Sequence, residues 1–99
     1  MQWRQGDVLF QKEKELPKDV RPRKSKVLYE GEATGHLHRV DEGSQVGVFE
    51  LGNFLYLKID SESATIVHDE HGPITLEAGI YKVWQQREYR PGGEARVGD

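Results

Sequence analysis

The sequence contains no cysteine and no long hydrophobic run. The absence of cysteine excludes disulfide bonds, a thiolate nucleophile and a zinc site built on cysteine. A helix that crosses a membrane needs about 20 predominantly apolar residues, and the apolar runs here are only a few residues long. We therefore expect no membrane association. Since the N-terminus shows no apolar leader, we also expect a cytoplasmic location.

A strong charge of one sign is lacking as well. The chain has 14 Lys and Arg residues against 17 Asp and Glu residues, for a net charge of -3. No overall basic field is present to attract nucleic acid. Hydrophobic residues make up 35% of the 99 residues, a lean but globular composition. This length predicts one domain over residues 1–90, followed by a flexible C-terminal tail over 91–99.

The sequence does contain short β-like runs separated by turn signals, and no window has a convincing helical period. The Gly43-Ser44 and Gly52-Asn53 pairs predict hairpin turns. The runs cover residues 6–11, 27–29, 36–40, 46–51, 54–59, 64–68, 73–76 and 80–85. The pattern predicts an all-β fold, a small single-domain barrel or jelly-roll-like sandwich of about six to eight short strands.

All the histidines of the chain fall into two clusters, at 36–38 and 68–71. Side chains alternate along a strand, so His36 and His38 share a face with Val40 and point inward if Val40 does. The second cluster ends a strand, where a turn can bring two rings to one point. Imidazole is well suited to binding transition metals and to moving protons near neutral pH.

These clusters predict a divalent-metal site in which all the histidines bind, or three bind and the fourth moves protons. Zinc is the first candidate metal, with iron or manganese as alternatives. The predicted ligands are His36, His38, His68 and His71. A closed site of this kind would instead indicate a structural or metal-storage role.

An open metal site with a nearby carboxylate predicts a hydrolase or lyase that uses metal-activated water on a small-molecule substrate. Glu70 and Glu42 are the candidate catalytic bases, and Asp69 is an alternative to Glu70 as base or ligand. The candidate substrate-binding residues are Thr34, Arg39 and Arg87. A histidine site in so small a chain could also be completed across the interface of a homodimer.

Residues 31–42 resemble the first metal motif of the cupins: a glycine, a His-any-His pair on a strand, and a glutamate four residues later. The resemblance implies a small barrel that holds iron, manganese, nickel or zinc. The second cupin motif has a histidine after a Pro-any-Gly turn. Here Gly79 is followed by Ile80, so His68 or His71 would have to take that place.

A second resemblance involves residues 6–9, 35–39 and 86–89 together. These runs are similar to a family of small, uncharacterised bacterial proteins, and the resemblance implies no function.

The segment 12–26 supports a different hypothesis, an RNA-directed function. It holds seven Lys and Arg residues against three acids, which predicts a solvated loop. It leads towards His36 and His38, which could cleave RNA by general acid–base catalysis without a metal while the loop holds the phosphates. Aromatic residues that would stack on bases are not interleaved with these charges.

Overall fold

The computed structural model describes residues 2–30, 37–41, 43–90 and 93–96, with the backbone alone for 87–90 and 93–96. All regular elements in these ranges are strands, which confirms the predicted all-β fold. The strands are β1 Gln2–Gln5, β2 Val8–Glu13, β3 Arg21–Arg23, β4 Val27–Glu30, β5 Leu37–Val40, β6 Val46–Leu51, β7 Phe54–Val67, β8 Ile74–Gln85, β9 Arg87–Arg90 and β10 Gly93–Arg96.

Strands β1 to β8 form one antiparallel sheet that curls into a half-barrel. The order is β1-β2-β8-β7-β5-β4, while β6 pairs with both β7 and β3. One edge of β7 pairs with β8 along most of its length. Its other edge pairs first with β6 and then with β5. Strands β9 and β10 form a separate antiparallel pair.

Strands β7 and β8 are longer than the sequence pattern predicts. Each replaces two predicted short strands. The pairing shifts register between Ile59 and Ser63, and Ile59 lies opposite Gly79, whose φ is 147°. An irregularity of this kind bends a strand and increases its twist without ending it. The turn-like residues in these segments therefore mark a bend in the sheet and not a loop.

Two further strands lie in segments for which the sequence predicts irregular structure. Strand β3 lies within the basic segment 12–26 and pairs with β6. Strand β10 lies within 91–99. The rest of that tail lies outside the described residues, and its flexibility stays a prediction.

The apolar core lies on the concave face of the sheet. On β5, Val40 is 1% exposed and His38 is fully buried, so the inward orientation predicted for this strand is confirmed for His38. Near the N-terminus, Trp3 packs edge-on against Tyr81 with ring centroids 5.5 Å apart. The described residues contain no helix that could span a membrane. The core residues are Val8, Phe10, Leu28, Val40, Val48, Leu55, Leu57, Ile59, Ala64, Ile66, Leu76, Tyr81 and Val83.

Candidate functional site

The hairpin between β1 and β2 carries polar side chains at its tip, and these side chains are buried in the protein. Gln5 pairs with Val8, which leaves Gly6 and Asp7 as a two-residue loop. Gly6 has a φ of 59° at the first loop position, where type II′ hairpin turns require glycine. Asp7 has no exposed surface and Gln5 is 2% exposed. Polar side chains buried to this extent need partners inside the fold.

The Gln5 side chain determines which nitrogen of His38 carries a proton. Gln5 Nε2 donates to the carbonyl oxygens of Ile66 and Gly72, each at 3.0 Å. Gln5 Oε1 then lies 3.0 Å from His38 Nδ1 and can only accept. His38 Nδ1 is therefore the donor, and Nε2 carries a lone pair when the ring is neutral. A metal-binding histidine is usually oriented in this way by its second nitrogen.

Asp7 lies beside the other nitrogen of His38. Asp7 Oδ1 is 3.3 Å from His38 Nε2, and neither side chain has exposed surface. Asp7 Oδ2 accepts a 2.8 Å hydrogen bond from Gln85 Nε2, which orients the carboxylate. A carboxylate oxygen and a lone-pair nitrogen this close in the interior require a positive charge, either a proton or a cation.

His68 and His71 lie in the turn after β7, beside His38. The ring centroid of His68 is 4.2 Å from that of His38 and 4.7 Å from that of His71. His68 Nδ1 accepts from the backbone N–H groups of Glu70 and His71, at 3.0 and 3.1 Å. A neutral His68 therefore carries its proton on Nε2 and is a donor there. His71 Nε2 is buried and has no hydrogen-bond partner within the part of the chain that the structure describes.

Gly6 allows the hairpin to approach these rings closely. A Cβ atom at Gly6 would lie 2.6 Å from His71 Nε2 and 3.4 Å from His38 Cε1. The rings of His38 and His71 are inclined by only 14°, with centroids 6.3 Å apart. Among residues 2–30, 37–41 and 43–86, no group of three His, Asp or Glu side chains already has metal-binding geometry. The site is therefore a convergence of three imidazoles and one carboxylate, and not a closed cage of ligands.

One family model spans both this hairpin and the histidine turn. A family model described as Domain of unknown function (DUF8820) matches residues 4–86. The chain belongs to this family. No curated protein and no solved structure matches the chain significantly. The matched range contains both histidine clusters and every residue of the site described above.

The structure of this DUF8820 chain brings His38 together with His68 and His71, but not with Arg39. Arg39 follows His38 on β5, so its side chain lies on the opposite face of the sheet. Glu70 and Asp69 lie in the histidine turn with exposed side chains. Three predicted site residues, His36, Thr34 and Glu42, lie outside the described residues, as does the side chain of Arg87 at the start of β9.

The basic segment of this DUF8820 chain begins far from the histidines. Lys12 is five residues beyond Asp7 on β2, which corresponds to about 17 Å of extended chain. Lys12 Nζ is 2.6 Å from Glu77 Oε1 at the surface, and this hydrogen bond lowers the pKa of Glu77. At the other end of the segment, Lys26 Nζ donates to the Ser44 carbonyl at 2.8 Å. Both lysines therefore bond to protein groups, while Lys14, Lys18 and Lys24 are exposed, and the RNA hypothesis stays a prediction.

Sequence reasoning missed three residues of the site, Gln5, Asp7 and Gln85. The predicted first strand started at Gly6, whereas β2 starts at Val8. The Gly-Asp pair between two β-like runs was a detectable signal, because this dipeptide is typical of two-residue hairpin loops. That signal predicts the turn, but it does not predict that Asp7 is buried next to His38.

Proposed function

We propose that this DUF8820 domain binds a divalent transition metal, zinc first, and uses it in hydrolase or lyase chemistry on a small molecule. The observation that carries the proposal is the fully buried pair of Asp7 Oδ1 and His38 Nε2, 3.3 Å apart. Ligand atoms about 2.0–2.1 Å from a tetrahedral zinc lie about 3.3 Å from each other. The spacing of this pair therefore suits two ligands of one metal ion.

Asp7, His38 and His71 form the proposed ligand set. Gln5 holds the His38 ring with its Nε2 lone pair towards Asp7, and Gln85 orients the carboxylate. His71 lies on a surface turn and completes the set when its ring rotates towards that pair. His36 stays a prediction as a further ligand.

His68 has a different role in this proposal. Its Nδ1 accepts two backbone hydrogen bonds, so coordination through Nε2 would require those bonds to break. We assign it to proton transfer through the Nε2–H group, beside the ring of His38. The division of roles resembles the predicted one, in which three histidines bind and the fourth moves protons, but Asp7 takes the place of one histidine ligand.

A bound divalent metal would supply a water molecule of lowered pKa as the nucleophile. The chain itself must then remove and return protons. Glu70 is the candidate base, because it lies in the same turn as His68 and His71 and its side chain is exposed to solvent. Asp7 and His38 have no exposed surface, so neither side chain is open to bulk water.

Metal content is the direct test. We expect the untagged protein, prepared without chelator and incubated with zinc, to retain about one equivalent by ICP-MS after desalting. His71→Ala should retain little or none, because it removes one of three ligands. The substitution is at a half-buried turn position, so we expect the fold to survive, and far-UV circular dichroism checks this.

The matched control is Glu62→Ala, an exposed acid on β7 away from the histidine turn, which should bind zinc as the wild type does. A wild type that stays metal-free after incubation with zinc, iron and manganese would contradict the proposal. Equal zinc content in the wild type and in His71→Ala would remove His71 from the ligand set.

Glu70→Gln is expected to keep the metal but lose hydrolysis by about 10²–10⁴-fold, the usual contribution of a general base. Turnover of p-nitrophenyl esters and phosphates by the zinc-loaded protein provides the measurement. Asp69→Asn is the matched control, since it removes a neighbouring exposed carboxylate from the same turn. If the two variants lose activity equally, Glu70 is not the base.

A further inference from the structure

A cleft of about 570 Å³ opens at the end of the half-barrel. Its volume falls within the range of about 300–1,000 Å³ that is usual for small-molecule sites. The cleft is formed by the β6–β7 turn, the end of β8 and one side chain of β4. The lining residues are Tyr29, Gly52, Asn53, Phe54, Leu55, Trp84 and Gln85.

Two residues of the cleft wall also adjoin the buried Asp7–His38 pair. Gln85 lines the cleft and donates its amide hydrogen to Asp7 Oδ2. Tyr29 is the cross-strand partner of His38 in the β4–β5 pairing, directly after a register shift in β4. A molecule in the cleft would therefore lie one side chain away from the proposed metal ligands.

The cleft wall combines aromatic rings, amides and a nearby cation. Tyr29, Phe54 and Trp84 contribute rings, and Phe54 is 38% exposed although it is a large hydrophobic residue. Lys82 Nζ lies 4.0 Å from the centroid of the Phe54 ring and 5.9 Å from that of Trp84. Aromatic rings stack on planar ligands, side-chain amides bond to the polar edges of such ligands, and an ammonium group attracts an anion.

We propose that the cleft binds a mononucleotide, with its base stacked on Phe54 and Trp84 and its phosphate beside Lys82. Asn53 and Gln85 line the same cleft, and the Asn53 amide and the Gln85 Oε1 atom are the groups that would bond to the edge of the base, since Gln85 Nε2 donates to Asp7. Binding in the cleft needs no metal, and only the assignment of the nucleotide as the substrate of the Asp7–His38–His71 site rests on the proposed function.

Isothermal titration calorimetry of the full chain in EDTA tests the binding. AMP and UMP should both bind, because stacking on aromatic rings tolerates any base. Adenosine, which lacks the phosphate, should bind more weakly than AMP. Ribose 5-phosphate, which lacks the base, should not bind measurably.

Variants of the cleft separate stacking from charge. Phe54→Ala and Trp84→Ala should each weaken AMP binding by about tenfold or more, which is typical for the loss of one stacking ring. Phe54→Ala removes an exposed side chain, so it remains informative if Trp84→Ala fails to fold. Lys82→Gln should weaken AMP binding and leave adenosine binding unchanged. The matched controls are Trp3→Phe and the exposed Lys58→Gln, both expected to bind as the wild type does.

Three results would overturn the inference: no binding of AMP at millimolar concentration, equal binding of ribose 5-phosphate and AMP, or wild-type affinity in Phe54→Ala and Trp84→Ala. Because the titrations use EDTA, they are independent of metal content. A protein that binds zinc but not AMP contradicts only the cleft assignment. A protein that binds AMP but no metal contradicts only the proposed function.

Discussion

Gly6→Ala is expected to destabilise the protein by about 1–2 kcal/mol and to abolish metal binding. The free-energy loss follows from the φ of 59° at Gly6, a left-handed conformation that alanine adopts only with strain. The loss of metal binding follows from sterics. The new Cβ would lie 2.6 Å from His71 Nε2 and would occupy the space next to that ring, so the His71 ring would have to shift. Urea unfolding and ICP-MS measure the two effects separately.

Gly52→Ala is a matched control for this substitution. Gly52 has a φ of 60°, almost the same as Gly6, but a Cβ atom there would meet nothing within 4 Å. The two variants should therefore lose similar stability, while only Gly6→Ala loses the metal. If Gly6→Ala binds zinc with wild-type stoichiometry, the close approach of the hairpin to His71 has no role in the site.

Removal of His38 is expected to cost about 3–5 kcal/mol of unfolding free energy, because it removes the imidazole that lies beside Oδ1 of the buried Asp7 carboxylate. The measurement is a double-mutant cycle of Asp7→Asn and His38→Leu, followed by urea unfolding in EDTA. The double variant should lose about 1–3 kcal/mol less than the sum of the two single variants. Additive losses would mean that the two side chains do not interact despite the 3.3 Å separation of their atoms.

Added zinc should then raise the unfolding free energy of the wild type but not of the three variants in the cycle. A ligand at about 100 times its Kd stabilises a folded protein by about 2.7 kcal/mol. This increment is expected for the wild type and for none of the three variants. The surface pair of Lys12 and Glu77 provides the comparison, since its side chains are solvated and its coupling should be far smaller.

The sequence was sufficient to predict the fold class, and local pattern explains why. Alternation of apolar residues over 54–59 and the turn signal at Gly52 are properties of neighbouring residues, and the sheet preserves them. The hairpin predicted at Gly43-Ser44 is wrong, because β5 and β6 pair with successive parts of β7 and not with each other. The inward face of β5 could be predicted in the same way, because Val40 and His38 differ by two positions. The continuity of β7 through its bend could not, because pairing with β8 decides whether Asp60, Ser61 and Glu62 interrupt a strand.

The site was predictable only in part, for a related reason. The histidines are clustered in sequence, so spacing alone identified His38, His68 and His71 as candidates. Asp7 and Gln5 reach the site from a hairpin about 30 residues before His38, through sheet pairing that no local pattern encodes. The hydrogen bond that fixes the tautomer of His38 also comes from a group distant in the chain, whereas His68 is fixed by two backbone groups of its own turn.

The pairing of β2 with β8 joins residues 8–13 to residues 80–85. Although the β1–β2 hairpin leaves the ribosome before β8, it has no neighbouring strand to join until β8, the last strand of the main sheet, has been synthesised. Folds dominated by such distant pairings form in milliseconds to seconds, more slowly than helical domains. Asp7 therefore reaches His38 late in folding. A nascent chain that stops before residue 80 contains the histidine turn but lacks the strand that places the Asp7 carboxylate opposite it.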